Sequence, residues 1–199
     1  MDDVVSGRGN VLARVDESPT LREVMSEFTA ANDFVTDTGG NADYWYLGSG
    51  VLHFRLPNFA WRKRAIARHD AHHLLTGYPC TPAGEMQMAA WEFAAGRFPH
   101  PGATAFCLPL VGLGAIALPR RTFAAFVRGR RNTSLYATIL SDEMLASPMA
   151  DLRLRFAPAA PSRLSAGDWL AYVGLVGLSL AQMLAPVALL ALAAVASWR

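Results

Sequence analysis

From Leu170 to Ala196 the chain runs 27 residues without a charge, most of them apolar. A helix needs about 20 such residues to cross the hydrocarbon of a bilayer. The stretch therefore predicts a membrane-seeking helix near the C-terminus. Pro186, Gly174 and Gly177 are tolerable there, because neighbouring groups in a membrane helix satisfy the freed backbone. A buried apolar helix, or an in-plane hairpin broken at Pro186, would fit the same residues. Arginines abound before the stretch and only Arg199 follows it, so the positive-inside rule places the main domain in the cytosol. Charged residues make up 17% of the chain, below the roughly 25% of soluble domains, which agrees with membrane contact.

The rest of the 199 residues suits one domain, and no internal repeat is visible. A net charge of +2 is too small to argue for nucleic acid. Cys80 and Cys107 form no CxxC pair and no disulfide framework, which fits a reducing compartment. The acidic start Met1-Asp2-Asp3 has neither a signal peptide's apolar region nor the Arg-rich look of a transit peptide. The Ala- and Arg-rich composition suits a bacterial protein and its inner membrane. The arginines of 62–68 and 120–131 read as solvated helix faces or as contacts to lipid headgroups.

A first helix is predicted near Thr20, where Thr20 and Glu23 have capping-box spacing and Leu21, Val24, Met25 and Phe28 form a stripe. Residues 36–52 read as a loop, punctuated by Gly39-Gly40-Asn41 and Gly48-Ser49-Gly50 around Tyr44-Trp45-Tyr46. A second helix is expected from about Pro57 to Thr76, with Asn58 as a possible cap and Gly77 as its stop. Thr81-Pro82 opens a third, ending near Gly96. Residues 98–119 hold no charge but four prolines, and read as a buried helix or the wall of an apolar groove. Surface helix and loop follow to 157, ending in the amphipathic Met149–Phe156. The expected division is a helical metal-binding domain over 1–157, a linker over 158–168 and a hydrophobic membrane segment over 169–198. The fold class is all-α.

The chemistry gathers on the second helix. At about 100° per residue, His73 and Asp70 lie within roughly one quadrant of His69, while His72 falls to the other side. Ile66 and Phe59 share the face of the trio, so that face should look inward. Two imidazoles and a carboxylate are costly to bury unpaired, and His at i and i+4 can grip a metal ion. Glu85 opens the next helix after a short turn, so antiparallel packing returns it toward His73. Glu92, seven residues on, returns to the Glu85 face as an outer-sphere partner for a ligand histidine or as a surface glutamate. Without an ion, Asp70 and His73 could pair with each other at i, i+3.

Other readings fall away. His69-Asp70-Ala71-His72-His73 also fits the HxxHH box of membrane di-iron desaturases, which need more histidines than the five present. The His-Asp pair lacks the distal partners of an HD phosphohydrolase. There is no HExxH, and no Ser or Cys sits in a nucleophile elbow.

His69-Asp70-x-x-His73, eleven residues and then Glu85 resembles the signature of the coenzyme Q biosynthesis protein 4 family. His73-Leu74-Leu75-Thr76-Gly77, the Gly84-Glu85 pair, the apolar Gly112–Ala117 and the Arg128–Arg131 run are similar too, so the resemblance covers roughly 18–157. It implies an all-helical fold with an apolar groove for a polyprenyl tail. It also implies that His69, Asp70, His73 and Glu85 ligate a divalent metal, usually zinc, with iron the alternative suited to oxygen chemistry. Family members act in ubiquinone biosynthesis near membranes. They are regarded as catalysts of oxidative decarboxylation at ring carbon 1, or as non-catalytic lipid-binding scaffolds for the other enzymes. Expected partners are a polyprenyl quinone precursor or other lipid, the membrane, other quinone-biosynthesis proteins and further copies of the chain. The hydrophobic C-terminal helix departs from the family pattern and would fix the groove beside the bilayer.

Overall fold

The computed structural model describes residues 19–31, 43–49, 52–158 and 164–197. The chain folds as α1 (Leu21–Ala31), a hairpin of β1 (Tyr44–Ser49) and β2 (Leu52–Pro57), α2 (Ala60–Thr76), α3 (Pro82–Ala95), α4 (Pro101–Ala117) and α5 (Pro119–Gly129). A 3-10 turn (Leu135–Ala137), α6 (Asp142–Leu145), α7 (Met149–Phe156) and α8 (Ala166–Ser197) complete it. The class is all-α, as the sequence pattern requires, with the hairpin as its strand structure among the described residues.

Capping chemistry sets the helix ends. At α1 the Glu23 carboxylate accepts from the Thr20 N–H at 2.8 Å, while the Thr20 hydroxyl accepts from the Glu23 N–H at 3.3 Å. This is the capping box expected from the spacing. Gly77 stops α2 in the left-handed region, φ 79°, and its N–H returns to the His73 carbonyl. The Thr81 hydroxyl caps α3 through the Gly84 N–H. Ser165 and Asp168 bond each other's backbone N–H at the start of α8.

Two local expectations are corrected. Tyr44–Ser49 is a strand, paired antiparallel with Leu52–Pro57 from Tyr44↔Pro57 to Ser49↔Leu52. Aromatic residues favour strands, and that preference prevails over the glycines around them. Pro57 closes β2, so α2 begins at Ala60, with Phe59 at its cap position and no side-chain cap. The side-chain amide oxygen of the buried Asn58 accepts from Arg62 instead. Gly39-Gly40-Asn41, Gly50 and the Pro161-Ser162 part of the linker lie outside the described residues.

The core joins Leu21, Val24 and Phe28 of α1, Leu74 and Leu75 of α2, Met88 and Trp91 of α3, Phe126 of α5 and Leu152 of α7. Trp91 is fully buried, and its indole N–H donates to Asn132 at 2.7 Å. The arginine run over 120–131 is partly structural. Arg128 donates to the Thr76 and Ala157 carbonyls, and Arg131 pairs with Asp168. Helix α8 is long and apolar enough over Ala166–Leu190 to cross a membrane.

Helices α3 and α5 approach closely because Gly129 has no side chain. A Cβ there would lie 2.3 Å from the Trp91 carbonyl oxygen and 2.8 Å from the Ala94 Cβ. Overpacking of this kind costs about 1–3 kcal/mol. Gly129→Ala should therefore lower the thermal unfolding midpoint by several degrees, read by circular dichroism in detergent; an unchanged midpoint would refute the close contact.

Candidate metal centre

Helix α2 delivers three histidines in its last two turns. His73 and His72 are fully buried, whereas His69 keeps about a quarter of its side chain exposed. Phe28 of α1 stacks on the His73 ring at 6.2 Å. The Nε2 atoms of His69 and His73 face each other at 3.1 Å. Glu85, in the first turn of α3, straddles them: Oε2 lies 3.3 Å from His69 Nε2 and Oε1 3.3 Å from His73 Nε2. Among the described residues, these are the side chains whose possible ligand atoms fall within 4.8 Å of one another, so the group could hold a metal ion.

The tautomers support that use. His73 Nδ1 sits 2.7 Å from the Tyr78 carbonyl, which can only accept, so Nδ1 donates. His69 Nδ1 donates to Glu92 Oε1 at 3.0 Å. Both neutral rings therefore turn an Nε2 lone pair toward the same point. Two lone pairs and a carboxylate meeting at 3.1–3.3 Å repel unless a cation lies between them. Ligand atoms about 2.0–2.1 Å from a tetrahedral zinc ion stand roughly 3.3–3.4 Å apart. The donor set thus fits a divalent ion in spacing, tautomer and charge. With no metal bound, a proton takes the place of the cation. Burial opposes charge on His69, but Glu92 and Glu85 prevail and raise its pKa well above the ordinary value.

Glu92 Oε1 is the hub beneath the site. It accepts from His69 Nδ1, from His72 Nδ1 at 2.7 Å and from the Tyr136 hydroxyl at 2.7 Å. His72 Nε2 in turn accepts from the Leu135 N–H at 2.7 Å, which fixes it as a neutral donor to Glu92. Burial pushes the Glu92 carboxyl up, yet the charge of His69 and the hydrogen bonds from His69 and His72 hold it far below the carboxylate range. Burial likewise raises Glu85, and in the metal-free site, where a proton takes the cation's place, hydrogen bonds from His69 and His73 overcome it to leave a pKa of about 2. Oε2 of Glu92 is buried with no hydrogen-bond partner among the described residues.

Sequence spacing thus brings His69, His73 and Glu85 together and sets Glu92 behind His69. Asp70 stands outside the converging group. It is half-buried in the field of His69, His73 and Glu85, and burial raises its carboxyl to about 6. His72 was set apart on the helical wheel, yet it forms the deepest hydrogen bonds of the site. Its signal was the run Ala71–Thr76, buried on every side at the end of α2. Tyr136, the Leu135 N–H and the Tyr78 carbonyl carried no local signal.

Glu85 is placed by the turn. A Cβ on Gly84 would fall 1.8 Å from the Pro79 carbonyl oxygen, so glycine lets the turn close against the first turn of α3. His69 and Glu85 also line an apolar cavity of about 340 Å3. Phe59, Trp61, Ile66, Phe98, Phe106 and Leu110 belong to its walls, together with Arg62, Cys107 and Tyr136. Trp61 stacks on His100 at 4.9 Å with the planes 4° apart. Comparison of the chain with protein-family models, with curated proteins and with solved structures gives no match.

Two outcomes follow for metal binding. Glu92→Gln keeps the shape but removes the charge that three donors require; metal affinity should fall roughly 10–100-fold by titration calorimetry. The raised pKa of His69 stabilises the metal-free fold below the free-histidine value and loses that contribution as pH rises. The gain in unfolding midpoint on adding zinc should therefore be larger at about pH 8 than at about pH 6. A gain that shrinks with rising pH would contradict the shared cation position.

Proposed function

We propose that this chain is a zinc-binding, membrane-associated protein of ubiquinone maturation that acts on a polyprenylated aromatic ring, its main domain on the cytosolic side of a bacterial inner membrane. The observation that carries the reading is the cavity itself: His69 and Glu85 of the converging group line it together with mostly aromatic and aliphatic side chains. Ligand pockets commonly run from about 300 to 1,000 Å3, mostly apolar with a few placed polar groups. The H-D-x-x-H-x(11)-E resemblance points to the same substrate class.

Each residue then has a defined task. Phe59, Trp61 and Phe106 give flat apolar surfaces for a ring and the first part of its prenyl chain. Glu92 and the Tyr78 carbonyl hold His69 and His73 in the tautomers that leave both Nε2 atoms free. Glu85 neutralises charge at the site, and Asp70 adds a second carboxylate beside it. A divalent ion held there supplies Lewis-acid stabilisation of negative charge on a ring oxygen. Three converging protein ligands are the number that holds a catalytic zinc, whereas a structural zinc takes four. This favours an enzyme over a scaffold.

The proposed reaction replaces a ring carboxyl by a hydroxyl. Carbon dioxide leaves, the ring gains a hydroxyl whose oxygen comes from dioxygen or water, and the substrate as a whole, ring carbon and departing carboxyl carbon together, loses two electrons. Zinc has no redox chemistry, so dioxygen or another redox partner must take those electrons.

His73→Ala should abolish both zinc binding and quinone production when the chain complements a bacterial strain blocked at ring carbon 1, with accumulation of the carboxylated precursor read by mass spectrometry. Full quinone production by this variant, without bound metal, would overturn the assignment.

A further inference from the structure

Helix α8 is docked on the domain over its first half rather than tethered to it. At its start, Asp168 is clamped by Arg130 at 3.0 Å and Arg131 at 2.8 Å. Midway, the buried Ser179 hydroxyl donates to the Leu108 carbonyl at 2.7 Å and accepts from the Gly112 N–H at 2.9 Å. The fit is close, since a Cβ on Gly112 would lie 2.6 Å from Ser179 Oγ. Farther on, Gln182 donates to the Ala105 carbonyl at 2.7 Å. Helix α8 is therefore held along about 21 Å of its length at the α-helical rise, first at the end of α5 and then antiparallel against α4.

This docking is hard to reconcile with a helix that crosses the bilayer. If Ala166–Leu190 crossed, the domain packed beside it would be drawn into the hydrocarbon. Gln182 shares a surface hollow with the exposed Arg97 and His100, and an arginine at that depth is costly. If the domain instead stayed in water, the docked half of α8 would keep Leu170, Val173 and Leu178 bare to water.

We propose that α4 and α8 together form a monotopic membrane face that lies along one leaflet of a lipid bilayer, with α8 an in-plane helix that does not cross it. Among the exposed residues of α8, Leu170, Val173, Leu178 and Leu184 share one side of the helix. Helix α4 adds Leu113 and Ile116 beside it. At about 100° per residue, Ile116 neighbours Ala105, which touches α8, so the two stripes adjoin. Neither helix carries a charge between Pro101 and Ala117 or between Trp169 and Ser197. The exposed Arg120 and Arg121 follow the end of α4, at the edge of the face, where lipid phosphates lie. The apolar surface and the arginines at its margin are placed to meet acyl chains and headgroup phosphates together. Phe106 belongs both to this exposed surface and to the cavity wall, so the cavity borders the lipid. The inference rests on the fold alone and holds whether or not the site binds metal.

The test uses the full chain expressed in a bacterial host, with one epitope before Met1 and another after Arg199. Protease is added to spheroplasts and to inverted inner-membrane vesicles. Both epitopes should be cleaved in the inverted vesicles and neither in the spheroplasts. In parallel, a photo-crosslinking residue replaces Ile116, Leu178 or, as a control away from this face, the exposed Ile139. Lipid adducts should form at the first two and be lost at Ile139. Epitopes cleaved in opposite preparations would overturn the proposal. So would a soluble chain, or a membrane-bound chain without lipid adducts at Ile116.

Discussion

A carboxylate buried in the protein interior must be met by hydrogen-bond donors, and the arrangement around Glu92 follows from that need. Its side chain is fully buried, and one oxygen collects hydrogen bonds from α2 and from the turn carrying Tyr136. Breaking such a buried charge pair typically costs about 3–5 kcal/mol. The chain therefore holds α2, α3 and the Leu135–Ala137 turn in one register. That register orients His69, and through it the face of the site. Stability and metal affinity are set by the same atom.

The second determinant is the short connection from α2 to α3. Gly77 ends one helix in a left-handed conformation, Thr81 starts the next, and Gly84 allows the Pro79 carbonyl to approach. The turn also supplies the Tyr78 carbonyl that fixes the His73 tautomer. One short loop thus brings Glu85 to the two histidines and orients one of them. Its glycines serve the geometry of the site as much as the fold.

The sequence makes this much legible because the ligands are local. His69 and His73 are one turn apart, and Glu85 lies across one turn of chain, so periodicity alone brings them together. The capping boxes and the apolar stretches are local in the same sense. What escapes is set by tertiary contact. His72 looks displaced on a helical wheel, but the end of α2 is buried on all sides, so every face there is an inner face. Tyr136 reaches Glu92 across 44 residues, beyond any periodic signal. The strand at Tyr44–Ser49 hides behind glycines that mark turns. The uncharged C-terminal run reads as a membrane segment, but the docking of Ser179 against α4 is invisible to hydropathy.

The central claim is that His69, His73 and Glu85 hold a divalent ion, and metal content tests it most directly. The chain would be purified without chelators or a metal-affinity tag and measured by elemental analysis beside a His69→Ala/His73→Ala variant. The account predicts about one equivalent of divalent metal per chain, lost in the variant. Its absence from both, in protein that remains folded, would contradict the account and leave the histidines as a hydrogen-bonded core cluster around Glu92.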